Sequence, residues 1–243
     1  MTHLLNPPFG SKIGFSNSVG TTGFEILANT TVVDPNPGGE QVYIKSTSAL
    51  DSPNSPNDIG IQKVRIVYFD NNWTKQEEYV TMNGTTDVLV EVNMLRVETF
   101  EAFQAGAAFF AQGTITLKST EPTPGDRRLF AQIDSGTTNF PRALHYVSPG
   151  KIVNIIDIIA NCPTSGGVQF VIFITEDNTV DGGGPVSIPG ISFILANDTM
   201  QISLNLPIVC NAIGSVQGLQ IGIVVKGLAA SQIAIASFSF TES

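Results

Sequence analysis

The sequence predicts an all-β protein built as two tandem antiparallel β-sandwiches of jelly-roll type, preceded by an extended N-terminal arm. Three observations support this prediction. Short runs of β-branched and aromatic residues alternate with polar residues along most of the chain, as in half-buried strands. Gly, Pro, Asn or Asp bounds nearly every run. The length of 243 residues accommodates two domains of roughly 120 residues with about eight strands each.

The arm is predicted over residues 1–22. This segment contains Pro7 and Pro8 and three glycines, at Gly10, Gly14 and Gly20. A segment of this composition has few side chains that could anchor it in a core, so it either stays disordered or is ordered by a neighbouring subunit.

The first sandwich is predicted over residues 23–120. The run 64–69 alternates as a strand, and Asp and Asn residues at 70–72 predict the turn that follows it. Asn83-Gly84 predicts a two-residue type I′ hairpin, because both central positions of that turn need positive φ. The segment 95–103 lacks a helical period, which favours strand and loop.

The second sandwich is predicted over residues 126–243. The stretch 119–126 contains two prolines and a glycine and is interpreted as the linker between the domains. Ser148-Pro149-Gly150 has the composition of a turn, with Pro149 fixing φ and Gly150 free to adopt positive φ. The run 231–240 places Ala and Phe on one face and Ser on the other, which predicts a buried final strand.

Composition and charge exclude several functions. Charged residues make up 14% of the chain, against about 25% in a typical domain, and such a weakly charged surface suits contact with other protein chains. The net charge of −9 argues against direct binding of nucleic acid, which depends on Lys and Arg. Neither a secretory signal nor an apolar run of membrane-spanning length is found, so we expect a protein made in the cytoplasm without a transmembrane segment.

No catalytic motif is present. His3 lies in the predicted arm and His145 in a predicted strand, which leaves no paired histidines for acid-base or metal chemistry. Glu77 and Glu78 are adjacent in a strand and therefore face opposite sides, so they cannot form the carboxylate pair of a glycosidase. We expect neither enzymatic activity nor a cofactor.

Three further features have ordinary structural interpretations. The Asp- and Gly-rich stretch 177–184 does not match the spacing of an EF-hand, which favours a solvent loop over a calcium site. Cys162 and Cys210 match no zinc pattern and are interpreted as thiols in or near the core, and the sequence leaves open whether they form a disulfide. The sequons at Asn29, Asn72, Asn83 and Asn197 are frequent by chance in a chain rich in Asn and Thr.

Trp73 is the one candidate contact residue. As the single tryptophan of the chain, at a predicted hairpin tip, it could anchor a protein interface or a sugar. A lone aromatic at such a tip can equally well fold back on its own sheet. The sequence supports the two interpretations equally.

Five segments resemble virion structural proteins of double-stranded DNA viruses, including jelly-roll minor capsid and penton-type proteins. The segments are Val64–Asp70, Glu78–Thr86, Leu95–Val97, Gly113–Leu117 and Arg142–Lys151. Together these segments are spread along the chain between residues 60 and 155. The family pattern contains no catalytic motif, so it assigns no site residue to this chain.

This resemblance implies a capsid protein that is found in the virion and forms homo-oligomers with itself and contacts with other capsid proteins. The alternative is a spike or fibre module that recognises a host receptor or glycan through its end loops. The assembly hypothesis predicts a defined oligomer, whereas the receptor hypothesis predicts binding of a glycan or a host protein.

Overall fold

The computed structural model describes residues 9–28, 30, 32, 35, 38–53, 59–121, 127–176, 192–209 and 218–243. These residues form strands, turns and loops and contain no helix, which confirms the all-β prediction. The strands within the described residues are β1 (Phe9–Val19), β2 (Glu25–Ile26), β3 (Glu40–Ser46), β4 (Ile61–Phe69), β5 (Lys75–Thr81), β6 (Val88–Met94), β7 (Arg96–Ala105), β8 (Ile115–Ser119), β9 (Leu129–Ile133), β10 (Leu144–Val147), β11 (Ile152–Cys162), β12 (Val168–Glu176), β13 (Ser192–Leu195), β14 (Asp198–Val209), β15 (Leu219–Gly227) and β16 (Gln232–Glu242).

The strands belong to two compact units, and these units divide the chain differently from the predicted boundaries. Among the described residues, unit 1 contains those up to Ala28 and those from Pro141 onward. Unit 2 contains the described residues from Thr30 to Phe140. The two units are therefore not in tandem, because the chain of unit 1 is interrupted by unit 2.

Unit 1 is a jelly roll. One sheet has the strand order β1-β16-β11-β14, and the other has the order β10-β15-β12-β13, with β2 paired to β15. Every pairing is antiparallel. The core of unit 1 includes the inward residues predicted for the last strand, namely Ala234, Ala236, Phe238 and Phe240. The jelly-roll prediction is confirmed for this unit.

The predicted arm contains a strand. Phe9–Val19 pairs with β16 from Phe9↔Thr241 to Val19↔Gln232, and residues 1–8 lie outside the described residues. The glycines suggested a flexible segment, but Gly14 is required for packing. A Cβ at Gly14 would lie 2.3 Å from the Leu27 carbonyl oxygen and 2.8 Å from the Ala143 backbone nitrogen. Glycine here permits close approach of two backbones.

The places where the chain leaves and re-enters unit 1 lie next to each other. The Ala143 N–H donates to the Leu27 carbonyl (3.0 Å), and the Leu27 N–H donates to the Ile223 carbonyl (3.0 Å). Ala28 and Arg142 form an antiparallel bridge one residue further along. Both connections to unit 2 are thus hydrogen-bonded into the same edge of unit 1.

Unit 2 is a smaller sandwich. Its sheets have the strand orders β6-β3-β8-β9 and β5-β4-β7. The alternation predicted for residues 64–69 is confirmed, since Val64, Ile66 and Tyr68 belong to the core of this unit. The segment 95–103 lies largely within strand β7, as its pattern favoured.

The segment predicted as a linker, 119–126, connects two strands of the same sheet. β8 pairs with β9 from Ile115↔Ile133 to Lys118↔Leu129, and residues 122–126 lie outside the described residues. The predicted second domain therefore contributes its first strand to unit 2. Proline and glycine mark a turn as readily as a domain boundary, so composition alone could not separate the two.

Asn83-Gly84 forms a turn between sheets instead of the predicted type I′ hairpin. β5 pairs with β4 and β6 pairs with β3, so the turn connects different sheets. Gly84 has a φ of 56°, whereas the φ of Asn83 is not positive. The Gly84 N–H donates to the Asp51 carbonyl (2.9 Å), and its carbonyl accepts from Ser46 N–H (2.9 Å). These bonds to the loop after β3 determine the turn.

The Asp51 carboxylate organises the loops at that end of unit 2. The side chain is fully buried. One oxygen accepts from the backbone N–H groups of Ile61 (2.9 Å) and Gln112 (3.0 Å). The other accepts from Gly113 N–H (2.9 Å) and from the Ser46 hydroxyl (2.6 Å). Four donors therefore converge on one carboxylate: they come from the end of β3, the start of β4 and the loop before β8.

Candidate functional site

The outer face of the β1-β16-β11-β14 sheet carries exposed apolar side chains. Strand register aligns Ile13, Ser237, Ile159 and Gln201 in one row across all four strands. Ile13 is 50% exposed and Ile159 is 41% exposed. We call this surface the outer face of unit 1 and define it by that row and by the two rows beside it: Phe15, Ile235, Asn161 and Thr199, and Ser11, Ser239, Asp157 and Ser203.

The outer face of unit 1 contains almost no charge. Asp157 is the single ionisable residue in its three rows, and its carboxylate accepts a hydrogen bond from the Ser239 hydroxyl. Isolated exposed isoleucines are common on monomeric proteins. Here they share one sheet face with small polar residues and one bonded carboxylate, and low charge of this kind is typical of the core of a protein interface.

Unit 2 carries an apolar loop from Gly106 to Phe110. Phe109 is 75% exposed and has a φ of 62°, a conformation that is costly for a bulky residue. Backbone hydrogen bonds from Gly106 N–H to Gly60 (2.8 Å) and from Ala108 N–H to Ile59 (3.0 Å) hold the loop. The loop therefore presents an aromatic ring on a constrained backbone.

An Arg65 network lies on the outer face of the β5-β4-β7 sheet. Its guanidinium donates to Glu101 Oε1 (2.7 Å) and to Glu77 Oε2 (2.9 Å). The hydrogen bond to Glu77, followed by that to Glu101, raises the pKa of Arg65, and the bond to Arg65 lowers the pKa of Glu77. This network links the three strands of the sheet. Because the Glu77 carboxylate is bonded to Arg65, the network has a structural role.

A second cluster, the basic pocket, lies on the outer face of the β6-β3-β8-β9 sheet. Its volume is about 150 Å³, and it is lined by Tyr43, Lys45, Asp87, Thr116, Lys118 and Arg127. The hydrogen bond from Arg127 lowers the pKa of Asp87. Asp87 is therefore ionised at neutral pH, and the pocket combines three cations with one carboxylate.

Trp73 lies against its own sheet. The indole is 6% exposed, and its ring centroid lies 5.6 Å from that of Phe69. The turn predicted at residues 70–72 is present: the Asp70 carboxylate accepts from Asn72 N–H (2.9 Å) and Thr74 N–H (3.0 Å). This position agrees with the fold-back interpretation, and a role of Trp73 in an interface or ligand contact stays a prediction.

The other residues that the sequence singled out do not converge on one site. His145 is buried in unit 1 and stacks on Phe240 with ring centroids 4.0 Å apart. Glu77 bonds Arg65, whereas Glu78 lies opposite the core residue Ile66, so the two glutamates face opposite sides as predicted. Cys162 is buried and donates to the Thr164 carbonyl (3.3 Å), whereas Cys210 and the stretch 177–184 lie outside the described residues.

Two features are absent from the described residues. No group of three or more His, Cys, Asp or Glu side chains there could hold a metal ion. The same part of the chain has no helix with the length and apolar character needed to cross a membrane.

The stability of unit 2 is expected to fall as the pH drops below about 4. Hydrogen bonds from Arg127 to Asp87 and from Arg65 to Glu77 lower the folded-state pKa of both carboxyls. Carboxylates of this kind stabilise the fold above their unfolded pKa, and this stabilisation is lost as the pH falls through the folded pKa. The urea concentration at the midpoint of unfolding, measured by Trp73 fluorescence, should decrease less steeply from pH 6 to pH 3 in Asp87→Asn than in the parent. Equal dependence on pH in the two proteins would contradict the role given to Asp87.

The comparisons with known proteins give neither a family nor a relative. No family model matches the chain, and no curated protein matches it. Solved structures of infectious bursal disease virus align over nearly the whole chain. The Gt strain structure covers 97% of this chain and 72% of that chain at 11% identity, with a TM-score of 0.27. A VP2 subviral particle of the same virus covers 97% and 71% at 11% identity, with a TM-score of 0.26.

At these TM-scores the chain paths differ too much for the similarity to carry a function to this chain. These structures come from a double-stranded RNA virus. They therefore do not support a particular similarity to proteins of double-stranded DNA viruses.

Proposed function

We propose that this chain is a non-enzymatic structural subunit of a virus particle, a penton or minor capsid component. It would assemble with copies of itself and with other capsid proteins through repeated β-sandwich interfaces. In this proposal the chain is made in the host cytoplasm and resides in the virion, without direct contact to nucleic acid.

The outer face of unit 1 is the observation that carries this proposal. The three rows span five residues along each of four strands spaced about 4.8 Å apart, which gives a surface on the order of 300 Å². A standard interface buries about 800 Å² per partner. The face is therefore large enough to form the centre of one such interface, and repeating that contact by symmetry would give a closed assembly.

Fold and charge agree with this role. Jelly rolls occur in viral capsids, but also in lectins and cupins, so the fold alone assigns no function. The net charge of −9 disfavours the alternative in which the subunit packages nucleic acid.

The Ile159→Lys variant is expected to lose the oligomer that the parent forms. A lysine in the central row of the outer face would have to lose its hydration when the interface forms, which weakens association by about tenfold or more. Light scattering after size-exclusion chromatography measures the mass, and electron microscopy of the parent shows whether the particles have fivefold symmetry.

Ile194→Lys is the matched control, because Ile194 is 59% exposed and lies on the other sheet of unit 1. We expect it to assemble like the parent. A parent chain that stays monomeric at high concentration would overturn the assembly proposal, and assembly of Ile159→Lys at parental strength would exclude the outer face.

A receptor- or glycan-binding module is the second candidate function. The basic pocket favours it, because its three cations and one carboxylate are groups that bind the acidic and hydroxyl groups of a glycan.

A further inference from the structure

The basic pocket carries positive charge, whereas the chain as a whole is negatively charged. Lys45, Lys118 and Arg127 surround a single carboxylate, that of Asp87, whereas the whole chain has a net charge of −9. Such a reversal concentrates positive potential at one place on an otherwise acidic surface, which attracts and orients anions.

Strand register fixes four of the six lining residues. Tyr43 and Lys45 lie two apart on β3, and their cross-strand partners on β8 are Lys118 and Thr116. Because directly paired residues point to the same side of a sheet, these side chains form a square. The two lysines occupy one diagonal, at about 7–8 Å between strands, with the Thr116 hydroxyl and the Tyr43 ring at the other corners.

Arg127 closes one side of the square. Its guanidinium carbon lies 4.5 Å from the centroid of the Tyr43 ring, and Nη1 donates to Asp87 Oδ2 at 2.6 Å. Lys45 Nζ lies 3.6 Å from Asp87 Oδ1. Asp87 thus compensates Arg127 directly and Lys45 in part.

Lys118 has no carboxylate partner among the residues that the structure describes. It lies beside Lys45, whose own ion pair with Asp87 is long and half-exposed. Two neighbouring ammonium groups repel each other, and an anion seated between them would relieve that repulsion and accept hydrogen bonds from both. The free position for an acidic group is therefore beside Lys118 and Thr116.

The chemistry of the pocket favours a sugar acid over a protein side chain. Interfaces between proteins are depleted in lysine, yet two lysines form this site. A volume of about 150 Å³ lies below the roughly 300 Å³ of the smallest drug-sized pockets, so it suits one acidic group and part of a ring. The Thr116 and Tyr43 hydroxyls and the Asp87 carboxylate are partners for ring hydroxyls.

We propose that the basic pocket of unit 2 binds the carboxylate or sulfate group of an anionic saccharide. The acidic group would lie between Lys118 and Lys45, with the ring hydroxyls toward Thr116 and Asp87. This binding activity goes beyond the assembly role and does not depend on it, since every lining residue belongs to unit 2.

Titration calorimetry with three defined saccharides tests the proposal on the full-length chain. A sulfated heparin tetrasaccharide and 3′-sialyllactose supply the two acidic groups, and lactose is the neutral sugar. We expect the parent to bind at least one acidic saccharide and not lactose. Lys118→Gln should weaken that binding about tenfold or more, the effect of losing one charge-assisted hydrogen bond.

Lys63→Gln is the matched control, because it removes the same charge from β4 in the other sheet of unit 2. It should leave binding unchanged, and Trp73 fluorescence checks that both variants are folded. Equal weakening in the two variants would indicate diffuse attraction and overturn the proposal. So would failure of both acidic saccharides to bind at millimolar concentration. A change in oligomer size with Lys118→Gln, without saccharide binding, would instead assign the pocket to an acidic side chain of a second copy.

Discussion

The Asp51→Ala variant is expected to lose about 4 kcal/mol of unfolding free energy from unit 2. The carboxylate is fully buried and accepts from the backbone of Ile61, Gln112 and Gly113 and from the Ser46 hydroxyl. Its removal leaves two buried N–H groups, those of Ile61 and Gly113, and the partly buried N–H of Gln112 without an acceptor. Whole domains are stable by about 5–15 kcal/mol, so this loss would bring unit 2 close to unfolding.

Urea titration followed by tryptophan emission measures this effect on unit 2 specifically, because the single tryptophan of the chain lies in that unit. Asp70→Ala is the control: its carboxylate also accepts two backbone N–H groups but lies in an exposed turn. We expect it to cost about 1 kcal/mol. Asp51→Asn should be intermediate, because the amide keeps one acceptor. An Asp51→Ala midpoint equal to that of Asp70→Ala would contradict the buried role.

Gly14→Ala is expected to destabilise unit 1 by about 3 kcal/mol, the upper end of the cost of overpacking. The new Cβ would lie 2.3 Å from the Leu27 carbonyl oxygen and 2.8 Å from the backbone nitrogen of Ala143. Both obstacles are backbone atoms, which cannot rotate away. The strain would act on the hydrogen bond between Ala143 and Leu27 (3.0 Å), where both connections to unit 2 meet.

Thermal circular dichroism and hydrogen exchange measure this prediction, with Gly23→Ala as the control. No atom lies within 4 Å of a Cβ at Gly23, so the control should behave like the parent. Exchange in Gly14→Ala should increase in peptides covering β1 and β10, whereas the urea transition reported by Trp73 in unit 2 should not move. If Gly14→Ala and Gly23→Ala had the same melting temperature, the close approach of the backbones would not limit stability.

The sequence predicted the class of the fold because that information is local. Alternation over short runs determines which residues of a strand share a face. It correctly grouped Val64, Ile66 and Tyr68 on one face, which belongs to the core of unit 2, and it correctly grouped the inward residues of the last strand. The turn at Ser148-Pro149-Gly150 is also local: Gly150 has a φ of 82°, and Lys151 N–H donates to the Ser148 carbonyl (3.2 Å).

The division into units could not be predicted because it depends on pairing between distant strands. Phe9–Val19 pairs with the last strand of the chain, and nothing within its own residues identifies that partner. Glycine at position 14 gave a misleading signal, because chain flexibility and close backbone approach call for the same residue. Proline and glycine near residue 122 were misleading for a similar reason.

The basic pocket was missed for a related reason. Tyr43 and Lys45 meet Thr116 and Lys118 only through the register of β3 with β8, which no local pattern contains. Arg127 follows the predicted linker and lay within the predicted second domain, so the sequence did not bring it to this sheet. Trp73, which the sequence did single out, lies against Phe69.

The pairing of Ala28 with Arg142 makes the region between them a removable cassette. Two paired antiparallel residues are the ends of a short hairpin, so a chain in which a two-residue turn joins Ala28 to Arg142 would retain every strand of the jelly roll. If unit 1 assembles and unit 2 binds a saccharide, as proposed above, a lineage could exchange the ligand-binding unit and keep the assembling unit.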